Sequence, residues 1–208
     1  MKLYDYVLSG NCYKIRLLAA FLKLDYQTEP VDFYPGKQHK NEEFLTINPL
    51  GQLPVLRDGD LVIRDAQAIL LYLANKYDSE RSWWPANNAL RVGEVAMWLS
   101  FADQITSTAS AARLHDMLGY ELDVDAARSG ANTLFRVLED HLTDREFDGD
   151  DWIAGDCPTI ADIACFPYTA LCGDGGISLQ PFPAIQRWVR RFTALPGFVA
   201  MPGINCIK

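Results

Sequence analysis

The sequence predicts a two-domain protein, in which an α/β domain at residues 1–77 precedes an all-α domain at residues 89–208. Strand and helix patterns alternate through the first domain, whereas only helical periodicity is found in the second. The stretch at 78–88 contains serine, asparagine and proline, which is typical of a linker. It also contains Trp83 and Trp84, which we expect to pack between the two domains because exposed tandem tryptophans are uncommon.

The first domain is expected to begin with a strand, a helix and a second strand, at 3–8, 12–24 and 26–33. Apolar residues recur through the helix at helical spacing, which supports its assignment. A polar loop with a turn at Pro35-Gly36 follows, and then a short helix at 42–46.

A hairpin is expected next. Residues 53–56 predict a short strand, in which Pro54 fits only the first position or an edge. Asp58-Gly59 predicts a tight turn, and residues 61–63 form the returning strand. Asp65 is expected to cap the helix that follows. The resulting order of elements, β-α-β-α-β-β-α, suits a thioredoxin-like domain.

The second domain is predicted to consist of amphipathic helices, the clearest of which lie at 89–117, 132–142 and 184–195. A further helix is expected to begin after Thr159, where Asp162 is placed to bond back to the Thr159 amide. This arrangement is a capping box that uses aspartate instead of glutamate.

The composition is that of an ordinary globular protein, with 49% hydrophobic and 22% charged residues. A net charge of −8 argues against nucleic acid and anionic membrane surfaces as partners. No apolar run approaches the roughly 20 residues that span a bilayer. The first residues show no secretory leader, and we therefore expect a cytoplasmic location.

The cysteines predict neither a disulfide framework nor a metal site. Their number is odd, and no C-x-x-C pair occurs among them. We interpret Cys157, Cys165 and Cys172 as small buried apolar residues, and we expect Cys206 near the end of the chain to be exposed.

Several stretches of this chain resemble the cytosolic glutathione transferases, and together they extend over both domains. They are the loop and strand at 48–56, the helix start at 65–69, the capping segment at 159–164 and the helix stop at 195–198. The resemblance points to the serine-type enzymes of the theta class and of bacteria. It implies glutathione as co-substrate, no metal and a homodimer. It also implies a cis bond before Pro54.

Ser9-Gly10-Asn11-Cys12 lies between the first strand and the first helix, where a helix N-terminus can stabilise a thiolate. A free thiol is only about 3% ionised at pH 7, and lowering its pKa by about two units takes roughly 2.7 kcal/mol. One hydroxyl hydrogen bond to a charged group supplies about 1.5–3 kcal/mol, and the helix end about 1 more. Ser9 could alternatively be only a helix cap.

The resemblance gives Ser9 the catalytic role and makes Asn11 a second candidate donor. Cys12 has two interpretations, a redox-active thiol or a small buried residue on the first helical turn, and we favour the second.

The remaining predicted glutathione contacts also come from the resemblance. His39 and Lys40 are expected near the glycyl carboxylate, with Gln52 as a further donor; the alternative for His39 and Lys40 is a solvated loop. Leu53 is expected to pair its main chain with the cysteinyl part of glutathione.

Asp65 and Ala66 are expected at the γ-glutamyl end, although Asp65 could simply cap its helix. The family usually has serine at the position of Ala66, so we expect weaker binding by about 1 kcal/mol.

The function that this implies is conjugation of the glutathione thiolate to a small hydrophobic electrophile. A glutathione-dependent disulfide reductase or peroxidase, suggested by Asn11 beside Ser9, is one alternative. A ligand-binding module without turnover, suggested by Ala66, is another. We expect the electrophile near helical residues and the tail from Phe198 onward, and name as plausible helical linings Phe101, Gln104, Thr108, Ala111 and Met117. Asp103 could reach a ligand across a dimer.

Overall fold

The computed structural model describes residues 1–204. Its first part contains a four-stranded sheet with the strand order β2-β1-β3-β4. Strand β1 is parallel to β2 and antiparallel to β3, and β3 and β4 form an antiparallel hairpin. The strands span Lys2–Asp5 (β1), Gln27–Pro30 (β2), Val55–Asp58 (β3) and Leu61–Arg64 (β4).

Helices flank the sheet and build the whole second part of the described chain. They span Gly10–Phe21 (α1), Glu42–Ile47 (α2), Ala66–Tyr77 (α3), Ala89–Ile105 (α4), Ala111–Leu118 (α5), Val124–Phe147 (α6), Ile160–Ala170 (α7) and Pro183–Thr193 (α8). The predicted fold class, a thioredoxin-like domain followed by a helical domain, is therefore observed. The boundaries drawn at residues 77 and 89 stay a prediction.

Several elements differ in length from the prediction, among them β2, which covers Gln27–Pro30 instead of 26–33. Strand β1 ends at Asp5 instead of residue 8, because the chain turns there: the Ser9 N–H donates to the Tyr6 carbonyl at 2.9 Å. Helix α6 is more than twice as long as expected, since the Asp123 carboxylate caps it by accepting a 2.9 Å hydrogen bond from the Ala126 N–H. That cap is a local signal that the periodicity of 132–142 alone does not reveal.

The helical stretch predicted at 89–117 is interrupted by one turn of π-helix at Thr106–Ser110, between α4 and α5. Hydroxyl groups compete with the main-chain ladder at this turn. Thr106 Oγ1 donates to the Ala102 carbonyl at 2.9 Å, and Thr108 Oγ1 donates to the Gln104 carbonyl at 2.8 Å. A π turn holds more residues than an α turn and therefore rotates every following side chain to a different face.

The two domains share one hydrophobic core. The Trp83 ring stacks on Phe21 of α1 at 4.6 Å between centroids, and Trp84 is buried in the same core, as the linker prediction expected. The predicted capping box at the start of α7 is present, and the buried Asp162 carboxylate also accepts a 2.9 Å hydrogen bond from the Trp188 indole. The Trp83 ring thus packs the linker against the sheet domain, whereas the Asp162 contacts hold α7 and α8 of the helical domain together.

Cys12, Cys165 and Cys172 are buried as small core residues, and Cys157 is half-buried. Cys206, predicted to be exposed, lies outside the described residues. Within residues 1–204 we find no helix with the length and apolarity to cross a membrane, and no cluster of three or more potential metal ligands.

Candidate active site

A cleft of about 490 Å³ lies where the sheet domain meets α4, the π turn and α5. Every site residue predicted from the sequence lines this one cleft, although the residues come from four separate segments. They are Ser9, Asn11, His39, Lys40, Gln52, Leu53, Pro54, Asp65 and Ala66. The structure thus brings all of them together, while the role of each stays a prediction.

Ser9 is the N-cap of α1, at the bottom of the turn that follows β1. Its Oγ accepts a 3.2 Å hydrogen bond from the Cys12 N–H, which is one of the unpaired donors at the start of every helix. Accepting that bond leaves the hydroxyl proton free, so Ser9 can cap the helix and donate to a ligand at the same time. The two interpretations of Ser9 are therefore compatible.

Asn11 is fixed by the helical domain. Its N–H donates to the Tyr168 hydroxyl of α7 at 3.2 Å, and its side-chain Oδ1 is buried without a partner among the described residues. Gly10 makes this approach possible, since a Cβ atom at that position would lie 2.7 Å from the Tyr168 ring. The first turn of α1 and the tyrosine therefore form one packed unit.

Leu53 and Pro54 lie immediately before β3, and the bond between them is cis, as the resemblance implied. The main-chain N–H and C=O of Leu53 make no hydrogen bond to the rest of the described chain, so both are open to an extended ligand. Gln52, whose carbonyl accepts a 2.9 Å bond from the Asn48 side chain, precedes them with its own side chain exposed.

Asp65 and Ala66 begin α3. The Asp65 carboxylate caps the helix by accepting a 2.9 Å bond from the Ala68 N–H, while the Ala66 N–H is free among the described residues. A free amide at a helix start is suited to an anionic group. Asp65 has φ +77, a strained conformation for a non-glycine residue that is often found at ligand sites.

An acidic side chain of α4 adjoins this helix start. Asp103 lines the cleft and accepts a hydrogen bond from the Gln67 side chain. Burial and the neighbouring Asp65 carboxylate raise the pKa of Asp103. Two carboxylates close together can bind a protonated amine.

His39 and Lys40 lie at the opposite end of the predicted glutathione contacts. The His39 ring is buried against Phe33, with 4.1 Å between centroids, and its Nδ1 has no partner among the described residues. Burial, and then the nearby Lys40 and Lys37 charges, lower the pKa of His39, so the ring is neutral at pH 7. Lys40 Nζ donates to the Leu50 carbonyl at 3.2 Å and supplies the charge at this end.

Cys12 points away from this chemistry. It is fully buried in a small core cluster with Val31 and Val55, and burial raises the pKa of its thiol to about 12. A thiol in that environment stays protonated, which agrees with the favoured interpretation as a small core residue.

The cleft residues that were not predicted from the sequence include Tyr6, Phe33, Arg113, Tyr120 and Tyr168. Of the linings named as plausible, Ala111 and Met117 of α5 line the cleft, whereas Phe101, Gln104 and Thr108 do not. Phe198 was also wrongly expected there, since it packs against Phe166 and Phe192 in the core. One missed residue had a signal: Gly119 ends α5 with φ +68 and places Tyr120 just beyond it.

A thioredoxin-like domain, a helical domain and a cleft between them with a free helix amide define a two-domain protein of the transferase type. The model of the glutathione S-transferase N-terminal domain matches residues 1–75, and that of the glutathione S-transferase C-terminal domain matches residues 101–196. Glutathione S-transferase GstB of Escherichia coli is 30% identical over 196 residues, 90% of each chain. This chain belongs to the glutathione S-transferase family.

Solved structures agree. A possible glutathione S-transferase from Rhodopseudomonas palustris superimposes with a TM-score of 0.84 at 30% identity, over 96% of this chain and 89% of that one. A glutathione transferase homologue from Lodderomyces elongisporus, solved with two glutathione molecules per subunit, gives a TM-score of 0.82 at 25% identity over 94% of both chains. The prediction of a glutathione S-transferase enzyme is confirmed at the level of the family.

Proposed function

We propose that this enzyme binds glutathione in the cleft and transfers its thiolate to the electrophilic carbon of a small hydrophobic substrate. The observation that carries the proposal is the convergence of all nine predicted contacts on one cleft that also contains the start of α1. The glutathione-bound relative from Lodderomyces elongisporus supports the same ligand.

In this proposal glutathione lies extended across the cleft. Its cysteinyl part pairs with the open main chain of Leu53, and its γ-glutamyl carboxylate accepts from the free Ala66 amide. Its glycyl carboxylate lies near Lys40 and His39. The protonated amine of the γ-glutamyl group is held by Asp65 and Asp103, which are the acidic groups at that end of the cleft.

The sulfur then lies beside the N-terminus of α1, where the Ser9 hydroxyl donates a hydrogen bond to it. The hydroxyl hydrogen bond and the positive end of the helix stabilise the thiolate, and no protein base is needed. The thiolate attacks the electrophilic carbon, a sulfur–carbon bond forms, and the leaving group departs with its electron pair.

The direct test combines glutathione titration with a conjugation assay. Calorimetry should detect saturable binding of glutathione, and the ultraviolet absorbance of the thiolate should appear on binding at neutral pH. Conjugation of a chlorodinitrobenzene should then exceed the uncatalysed rate. Absence of glutathione binding would sink the proposal, while binding without conjugation of any electrophile in a broad panel would favour the ligand-binding alternative.

A second candidate is reduction of a glutathione mixed disulfide or a peroxide. The Asn11 Oδ1, which is buried beside Ser9 without a partner among the described residues, favours it, because an amide at that place can orient a second sulfur or oxygen. The buried Cys12 thiol would take no part, so a second glutathione would complete the reduction. Rapid turnover of a mixed disulfide with little conjugation would select this candidate.

A homodimer, a cytoplasmic location and a role in detoxification belong to the same proposal. The apolar side chains of Leu61, Val62 and Met97, which are exposed in the single chain, are consistent with a second subunit. Sedimentation at micromolar concentration tests the dimer, and a monomer would contradict it.

A further inference from the structure

Three aromatic rings line the cleft together with apolar side chains of α5. Tyr6 stacks on Phe33 with 5.3 Å between centroids, and Phe33 lies nearly parallel to Tyr120, with an interplanar angle of 10°. Leu114 and Met117 are the apolar members from α5. Near-parallel rings and apolar side chains favour a flat, conjugated ligand in this part of the cleft.

One fixed cation lies in the same part of the cleft. Arg113 of α5 is only 7% exposed, yet it lines the cleft. Its Nε donates to the Asp174 carboxylate at 2.9 Å, and its Nη1 donates to the Leu8 carbonyl at 2.9 Å. Its Nη2 has no hydrogen-bond partner in the described part of the chain. The guanidinium is therefore held from two sides and keeps unused donors.

The Arg113 guanidinium lies close to the place where the reaction is proposed to occur. Leu8, which Arg113 contacts, is the residue immediately before Ser9, so the guanidinium lies beside the predicted thiolate site. Arg113 is also near Tyr6: burial raises the pKa of Tyr6, and the Arg113 charge opposes that rise. A buried guanidinium is costly unless it is paired, and Asp174 satisfies only one edge of it.

We propose that Arg113 forms an anion-binding subsite for the second substrate, which is a planar, conjugated electrophile that carries a carboxylate. The inference rests on the proposed conjugation, since it specifies the substrate class of that same site. The planar fork of arginine matches the two oxygens of a carboxylate. The apolar residues around it would bind the conjugated part of the molecule.

The reaction itself is unchanged by the subsite. With a chloroarene, the thiolate sulfur forms a bond to the ring carbon, the carbon–chlorine bond breaks, and chloride leaves with the bonding electrons. The proton of the thiol has already passed to solvent. Arg113 holds the carboxylate substituent and takes part in none of these bond changes.

The test compares acceptors that differ by one group. The parent is a chlorodinitrobenzene with both nitro groups ortho to chlorine, and its partners carry a carboxylate meta or para to chlorine. We would measure kcat/KM for each with the wild-type enzyme and with Arg113→Gln and Arg113→Lys, corrected for the uncatalysed rates. Calorimetry on the corresponding glutathione conjugates gives a binding readout that does not depend on turnover.

We expect the wild type to prefer at least one carboxylated acceptor, and its conjugate, over the parent. In Arg113→Gln the ratio of carboxylated to parent kcat/KM should fall at least tenfold. The preference in affinity for the carboxylated conjugate should fall as well. Arg113→Lys should retain part of the kcat/KM ratio. An equal loss for all acceptors would overturn the subsite, since it would mean that Arg113 acts on the thiolate or on the fold. An unchanged ratio would overturn it as well.

Arg128 provides the matched control. Its Nε donates to the Gly175 carbonyl at 3.0 Å, so it supports the loop that carries Asp174 without lining the cleft. Arg128→Gln should leave the ratio unchanged, and an equal fall in that variant would assign the effect to the loop. If the wild type conjugates none of these acceptors, the proposed function fails, and the affinities of the conjugates still decide the role of Arg113.

Discussion

The main-chain N–H of Asn11 donates a 3.2 Å hydrogen bond to the Tyr168 hydroxyl, which ties the first turn of α1 to α7 of the helical domain. The catalytic candidate Ser9 caps the same turn. The position of its hydroxyl is therefore set by both domains, and perturbing this contact should affect stability and ligand binding together.

Replacing Gly10 by alanine should disturb that contact. The added Cβ would lie 2.7 Å from the Tyr168 ring, so the ring or the helix must shift, at a cost of about 1–3 kcal/mol. Chemical denaturation measures this loss, and glutathione affinity should fall with it. Gly93→Ala is the matched control, because Gly93 lies in α4 with open space around it and alanine should stabilise the helix by roughly 0.5–1 kcal/mol. Equal stability of the two variants would contradict the prediction.

Replacing Ser9 by alanine should reduce the conjugation rate at neutral pH at least tenfold. A hydrogen bond to a charged acceptor contributes about 1.5–3 kcal/mol, which is roughly a 10- to 150-fold effect. Spectroscopic titration should also show a higher pKa for the thiol of bound glutathione. Ser9→Thr keeps both the hydroxyl and the cap and should preserve most of the activity. An unchanged rate in Ser9→Ala would transfer the donor role to Asn11 or to a main-chain amide.

Replacing Ala66 by serine should tighten glutathione binding. The new hydroxyl would add one hydrogen bond beside the free amide at the start of α3, worth about 1 kcal/mol, or roughly fivefold in Kd. Calorimetry measures the change directly. Ala68→Ser places the same group on an exposed position of the same helix and should leave the affinity as it is. No gain at Ala66 would count against the γ-glutamyl carboxylate lying there.

The buried Lys14 should make the free energy of unfolding increase as pH rises above 8. Its ammonium is fully buried on α1 without a hydrogen-bond partner in the described chain, and burial lowers its pKa from 10.5 to about 8. Below pH 8 the folded protein must bury a charge. Between pH 8 and 10.5 only the unfolded state stays protonated, so the contribution of Lys14 to stability becomes less unfavourable as pH rises.

We therefore expect Lys14→Met to be more stable than the wild type at pH 7, by up to about 3 kcal/mol. The difference should shrink between pH 8 and 10.5. Urea unfolding at a series of pH values checks this, with Lys37→Met as a control at an exposed lysine. A gain that is independent of pH would point to packing rather than to the buried charge.

Local signals in the sequence determined most of the element starts. Asp65 and Thr159 cap helices as predicted, because a cap acts within three residues of itself. Gly59, with φ +62, supports the predicted hairpin turn for the same reason. The nine predicted contacts lie near such starts and turns, and the family resemblance selected them.

Only the tertiary structure decided the other half of the cleft. Arg113 and Tyr168 reach it from helices distant in sequence, and the π turn before α5 breaks the period from which a helix face is predicted. Lys14 likewise looks like an ordinary helix-surface lysine in the sequence, but packing between the domains buries it. Caps and turns depend on neighbouring residues, whereas these positions depend on how two domains dock, and no short pattern in the chain encodes that geometry.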